Sequence, residues 1–156
     1  MKKITKLCLI IICFFITLTI TGCKNNNVEG KLEDLMPKVY ENLEEDELPM
    51  LANTEVTEEN IEYYLGSADI EYEEALASEP MMSSIAHSVV LVRVKEGTDI
   101  EETKTKIKEN VDPRKWLCVG VEEEDVIVKN KGNLIILIMV EDENNREKIE
   151  EGFDNL

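Results

Sequence analysis

VIVKNKGNLIILIMV, residues 126–140, decides how this chain folds. At its centre Asn130-Lys131-Gly132-Asn133 reads as a hairpin turn, because Gly132 is free to take positive φ. The residues before it, Asp125 to Lys129, read as one strand. Those after it, Leu134 to Val140, form an uninterrupted apolar run. A strand apolar on both sides belongs at the centre of a sheet, or in a sheet covered on both sides. The hairpin therefore predicts a buried antiparallel pair around which the rest must be arranged.

Working outward, Asn144 to Phe153 predicts a closing helix with Ile149 and Phe153 turned inward. Upstream, Thr98-Asp99-Ile100-Glu101 has the form of a capping box. It opens a helix whose face carries Ile100, Ile107 and Val111, and Asp112-Pro113 stops it. Trp116 and Leu117 are expected to pack on the core in the return. Ala86, Val90, Val92 and Val94 alternate with His87, Leu91, Arg93 and Lys95, which predicts a further strand. Ile70, Tyr72 and Leu76 predict another, joined to it by a connection from Ser78 to Ile85.

Two helices precede these strands. Thr57, Glu58 and Glu59 lead into Ile61, Tyr64 and Leu65, and Gly66 is placed to end that helix. Leu32, Leu35, Met36, Val39, Tyr40 and Leu43 recur at helical spacing, with Pro37 marking a kink or a late start. The acidic run Glu44 to Glu47 and then Pro49 end it. The expected order is helix, helix, strand, strand, helix, strand, strand, helix. That is an α+β domain over residues 31–156, with a mostly antiparallel four-stranded sheet and its helices packed on one face.

The N-terminus carries a different signal. MKKITK is basic, and Leu7 to Ile20 is a run of 14 residues without charge. A membrane-spanning helix needs about 20 apolar residues, whereas an export signal needs about 7–15. Ile20-Thr21-Gly22-Cys23 resembles a lipobox, the signature of secreted bacterial lipoproteins. The resemblance implies a diacylglyceryl thioether on Cys23 and signal-peptide cleavage between Gly22 and Cys23. Residues 1–22 would be the signal peptide and 23–30 the lipidated cysteine with a flexible tether. Sulfur is the strong nucleophile such a modification needs near neutral pH, and two acyl chains give a stable anchor where one is marginal. The partner implied is the membrane, reached through diacylglycerol on Cys23, with the domain on the extracytoplasmic face. Cys8 and Cys13 would leave with the signal peptide. Cys118 is then expected as a small buried residue between Leu117 and Val119.

The rest of the chain also resembles a family, domain-of-unknown-function family four-three-five-eight, found in small lipoproteins of Gram-positive bacteria. The likeness rests on Tyr63-Tyr64-Leu65-Gly66, on Pro80-Met81-Met82 leading into SVVLVRVK, and on the hairpin and closing helix. It spans about Leu32 to Phe153, with an abbreviated segment between Asn110 and Glu124. The resemblance implies location and a single domain; it brings no activity, cofactor or catalytic residue.

Charge narrows the partners. Removing residues 1–22 leaves 14 basic against 34 acidic residues, a formal net charge of −20. Such a surface repels nucleic acid, which binds through Lys and Arg on phosphates. No G-x-S-x-G, glycine-rich phosphate loop or S-x-x-K is present. His87, the one histidine, is expected on a strand surface. The acidic runs Glu44–Glu47, Glu122–Asp125 and Glu141–Glu143 lack the Gly-containing alternation of a calcium loop. Met81 and Met82 either plug the edge of the core or form an adaptable binding surface for a small ligand or an envelope protein. The functional expectation is a non-enzymatic binding or accessory module of the cell envelope. The alternative is a small envelope hydrolase that uses paired carboxylates.

Overall fold

The computed structural model describes residues 27–156. The lipobox, with the Cys23 lipidation and the Gly22–Cys23 cleavage expected there, lies outside the described residues. The elements are helix α1 (Leu32–Val39), strand β1 (Leu51–Glu55), helix α2 (Ile61–Leu65), strands β2 (Glu74–Pro80) and β3 (His87–Arg93), and helix α3 (Ile100–Asn110). Strands β4 (Ile127–Lys131) and β5 (Leu134–Val140) and helix α4 (Glu143–Asn155) follow.

The fold is α+β, around one antiparallel sheet. The sheet has five strands in the order β1-β2-β3-β5-β4, not the expected four. The additional strand, β1, reads LANTE, and four of its five residues are exposed. An edge strand this exposed has no need of apolar alternation, so periodicity could not reveal it. Its insertion changes the element order to αβαββαββα.

The opening hairpin is built much as read. Lys131 pairs with Leu134 across a two-residue turn. Gly132 has φ +57, and Asn133 is not among the positive-φ residues. A positive φ at the first central position alone is the type II′ arrangement, which favours glycine there. β4 is shifted two residues beyond the expected Asp125–Lys129, to Ile127–Lys131.

β5 and β3 are buried along their whole lengths, and this explains a second correction. Helices pack on both faces of the sheet. One core holds Ile135, Leu137 and Met139 of β5 with Val90 and Val92 of β3, under Leu65 of α2 and Ile107 of α3. The other holds Leu134, Ile136 and Ile138 with Val89 and Leu91, under Leu35, Met36 and Val39 of α1 and Ile149 and Phe153 of α4. Alternating side chains of each central strand thus feed two separate cores.

Local chemistry sets the helix ends. Asp99, rather than Thr98, caps α3: its Oδ1 accepts a hydrogen bond from Glu102 N at 3.0 Å. A carboxylate there also gains from the helix dipole. Asp142 caps α4 in the same way through Asn145 N at 2.9 Å. Gly66 ends α2 in the left-handed region at φ +77, and a Cβ there would overlap the Asn110 carbonyl. Pro37 lies inside α1, which ends two residues later at Val39. It costs the helix one i→i−4 bond.

The region expected as strand Ile70–Leu76 is displaced. Ile70 is buried and the Tyr72 hydroxyl donates to Val56 O, but the strand itself runs Glu74–Pro80. Arg93, at the end of β3, is buried. Its guanidinium donates to the carbonyls of Val28 and, at 2.6 Å, Gly30, and pairs with Glu74 at 2.7 Å. The chain leading into α1 is thereby clamped to one end of the central sheet.

Candidate functional site

The opposite end of the sheet carries a different kind of surface. The large hydrophobic residues exposed among the described residues are Met50, Tyr63, Met81, Met82 and Leu117. The backbone brings them together. Met81 follows β2, and its N–H donates to Met50 O at 3.2 Å. Leu117 N–H donates to Ser83 O at 2.8 Å. Tyr63 reaches the same end, its hydroxyl donating to Glu79 Oε2 at 3.2 Å. Met50, Met81, Met82 and Leu117 are 77%, 70%, 62% and 66% exposed. Met81 and Met82 therefore do not plug the core, and Leu117 does not pack inward with Trp116.

A buried ion pair holds this end together. Lys115 Nζ lies 2.6 Å from Glu79 Oε1, and the two side chains are only 4% and 15% exposed. The ammonium also sits 3.3 Å from Ser88 Oγ. Three rings surround it, with Tyr63, Tyr64 and Trp116 centroids at 4.4, 5.2 and 5.4 Å. Cation–π attraction is strongest for such a desolvated cation. Tyr63 and Tyr64 meet edge to face at 4.9 Å. Burial lowers the Lys115 pKa against the opposing pull of Glu79. Burial, reinforced by the Glu79 charge, pushes the Tyr63 hydroxyl up to about 12. A lysine so enclosed is a packed support: it ties the segment after α3 to β2, β3 and α2, and so fixes where Leu117 emerges.

Cys118 corrects another expectation. It is a free, exposed thiol with φ +64. The left-handed backbone needed to return the chain from Trp116 turns this side chain outward. Its neighbours Leu117 and Val119 gave no sign of that in the sequence.

His87 is 2% exposed rather than on a surface, and it faces the core beneath α1. Its Nε2 lies 3.0 Å from the Tyr40 hydroxyl, and the two rings stack at 5.8 Å. Burial raises the Tyr40 pKa and pushes His87 down to about 4. A protonated phenol and a neutral imidazole thus share one buried hydrogen bond, whose donor is set by the imidazole tautomer.

The three acidic runs have structural places. Glu47 pairs with Lys148 at 2.7 Å, and this contact holds its carboxyl below the usual range. Asp125 pairs with Arg146 at 2.8 Å and Glu122 with Arg114 at 2.9 Å. Asp142 is the α4 cap. Among the described residues, no three His, Cys, Asp or Glu side chains are grouped to share a metal ion. Also among them, no helix is long and apolar enough to cross a membrane. Comparison with protein-family models, with curated proteins and with solved structures found no match to this chain.

Proposed function

We propose that this protein is a lipid-anchored lipoprotein of the extracytoplasmic membrane face, akin to the small lipoproteins of family four-three-five-eight. Its domain serves as a non-enzymatic binding or accessory module for an envelope protein. The observation that carries the binding role is the apolar end formed by Met50, Met81, Met82 and Leu117. Clustered exposed apolar side chains mark interaction surfaces, and methionine adapts to irregular partners. The lipobox Ile20-Thr21-Gly22-Cys23 supports the anchor. The clamp supports the orientation, because Arg93 holds Val28 and Gly30 at the end of β3 away from the methionines. Seven strand residues separate the two ends by about 20 Å. A lipid on Cys23 would thus present the methionines away from the bilayer.

The anchor is tested with radiolabelled palmitate: wild type incorporates label and Cys23→Ala does not. The module is tested by photocrosslinking in cells from position 82. An envelope protein captured from there, and lost in the Met81→Ser/Met82→Ser variant, supports the reading. Capture of nothing but the chain itself refutes it.

A further inference from the structure

The two edges of the sheet are protected very differently. β4 is half-buried, and lysines bind across it from both layers. Lys129 pairs with Glu150 and Asp154 at 2.9 and 2.8 Å, Lys131 donates to the Asp154 and Leu156 carbonyls, and Lys104 donates to Asn130. Edge lysines and covering helices are how a sheet avoids pairing with another chain. β1 has no lysine or arginine at all, and Ala52, Asn53, Thr54 and Glu55 are exposed.

The register shows which backbone groups β1 leaves open. Met81 N donates to Met50 O, and Val56 N donates to Ala75 O. The even-numbered residues between them therefore bond inward to β2, since bonding alternates along an antiparallel pair. Leu51 faces Pro80, which has no N–H, in agreement with this phase. Leu51, Asn53 and Glu55 thus direct their N–H and C=O groups outward. One of these already has a partner: Asn60 Nδ2 donates to Glu55 O at 3.0 Å.

Charge selects what can pair there. Between Lys38 and Arg93 the chain holds 14 acidic residues and no lysine or arginine. That stretch supplies β1, α2 and β2 together, with Glu44, Glu45 and Asp46 before β1, ahead of the Lys148-paired Glu47, and Glu55, Glu58 and Glu59 at its far end. A second copy would bring the same acids against these, and like charges across an interface are costly. A cationic strand would meet the opposite sign at both ends.

We propose that β1 accepts an extended, cationic segment of a partner protein as a sixth strand, with an apolar side chain of that segment lying on Met50 and Met81. Main-chain bonds supply affinity in such strand addition, and side-chain contacts supply selectivity. This rests on the binding-module reading above and names the chemistry of its partner.

The test uses the full chain in a non-ionic detergent and two synthetic peptides. One alternates Val and Thr between flanking Lys pairs; the other has Glu in place of Lys. Hydrogen exchange should slow at Leu51 and Asn53 on adding the Lys peptide, leaving β4 unchanged. The Glu peptide should bind at least about tenfold more weakly, and added salt should weaken the Lys peptide. Asn53→Pro removes an outward N–H and should abolish the protection. Thr54→Pro, which breaks an inward bond, controls for folding, and Asn53→Lys gives a second variant that retains the N–H but repels the peptide. Lys-peptide binding that perturbs Met81 and Met82 without protecting β1 overturns strand addition and leaves the module reading standing. Protection at β1 that grows with protein concentration in the absence of peptide assigns the edge to a second copy and overturns the proposal. Equal binding of both peptides overturns it too.

Discussion

His87→Gln should remove a definite share of the acid sensitivity of this fold. His87 is the one histidine in the chain, so its titration can be followed alone. It is buried, and its pKa falls from the ordinary 6.5 to about 4 because burial disfavours the imidazolium. The unfolded chain binds a proton near 6.5 that the native state refuses until about 4. Stability is therefore fully present above 6.5 and is lost as pH falls through that window. At about 1.4 kcal/mol per unit, lowering the pH from about 7 to about 5 costs about 2 kcal/mol, and carrying it to about 4 costs about 3 kcal/mol. The sequence pI of 4.4 makes about pH 5 the practical lower point. Gln keeps a hydrogen-bonding partner for the Tyr40 hydroxyl but does not titrate. Urea unfolding of both proteins at the two pH values isolates the term, because the carboxylates are common to both. Wild type should lose about 2 kcal/mol more than the variant between them. Parallel losses in the two proteins, or a native imidazole resonance titrating near 6.5, would refute the reasoning.

Further outcomes follow from the packing. Lys115→Met strands the Glu79 carboxylate beside buried rings and should cost about 3–5 kcal/mol in urea unfolding, most of it recovered by adding Glu79→Leu. Gly66→Ala places a Cβ against the Asn110 carbonyl at φ +77, and calorimetry should show a loss of about 1–3 kcal/mol. Arg93→Lys keeps the charge but loses the fork on Val28 and Gly30, so hydrogen exchange should quicken around α1 while β5 stays protected. Met81→Ser/Met82→Ser should change stability by no more than about 0.5 kcal/mol, since both side chains are exposed.

The sequence was most legible where burial was complete or a turn had a single solution. LIILIMV announced a central strand or one covered on both sides, and Gly132 and Gly66 marked turns that need positive φ. Yet the same LIILIMV run left open which arrangement held, and helices on both faces follow from its even and odd residues feeding separate cores. β1 was missed because an edge strand with exposed side chains has no apolar period to detect. His87 misled because alternation assigned its side of β3 to solvent, whereas α1 and Tyr40 cover it. The apolar end was only half visible. Met81 and Met82 were adjacent in sequence, but Met50 and Leu117 join them only through β1 pairing and the Lys115–Glu79 support. A lysine 36 residues from its glutamate leaves no local pattern to read.

The Arg93 clamp also determines how the domain would bear a pull. A force applied through the chain at Val28 enters at the end of β3, a central strand bonded to both β2 and β5. Resistance at the methionine end would lie along the strand axis. The ladders between would then be loaded in shear, with many bonds sharing the strain at once. A tether joined to the free edge of β1 would instead peel its bonds to β2 one after another. The guanidinium thus sets the direction in which the sheet meets a load at Val28.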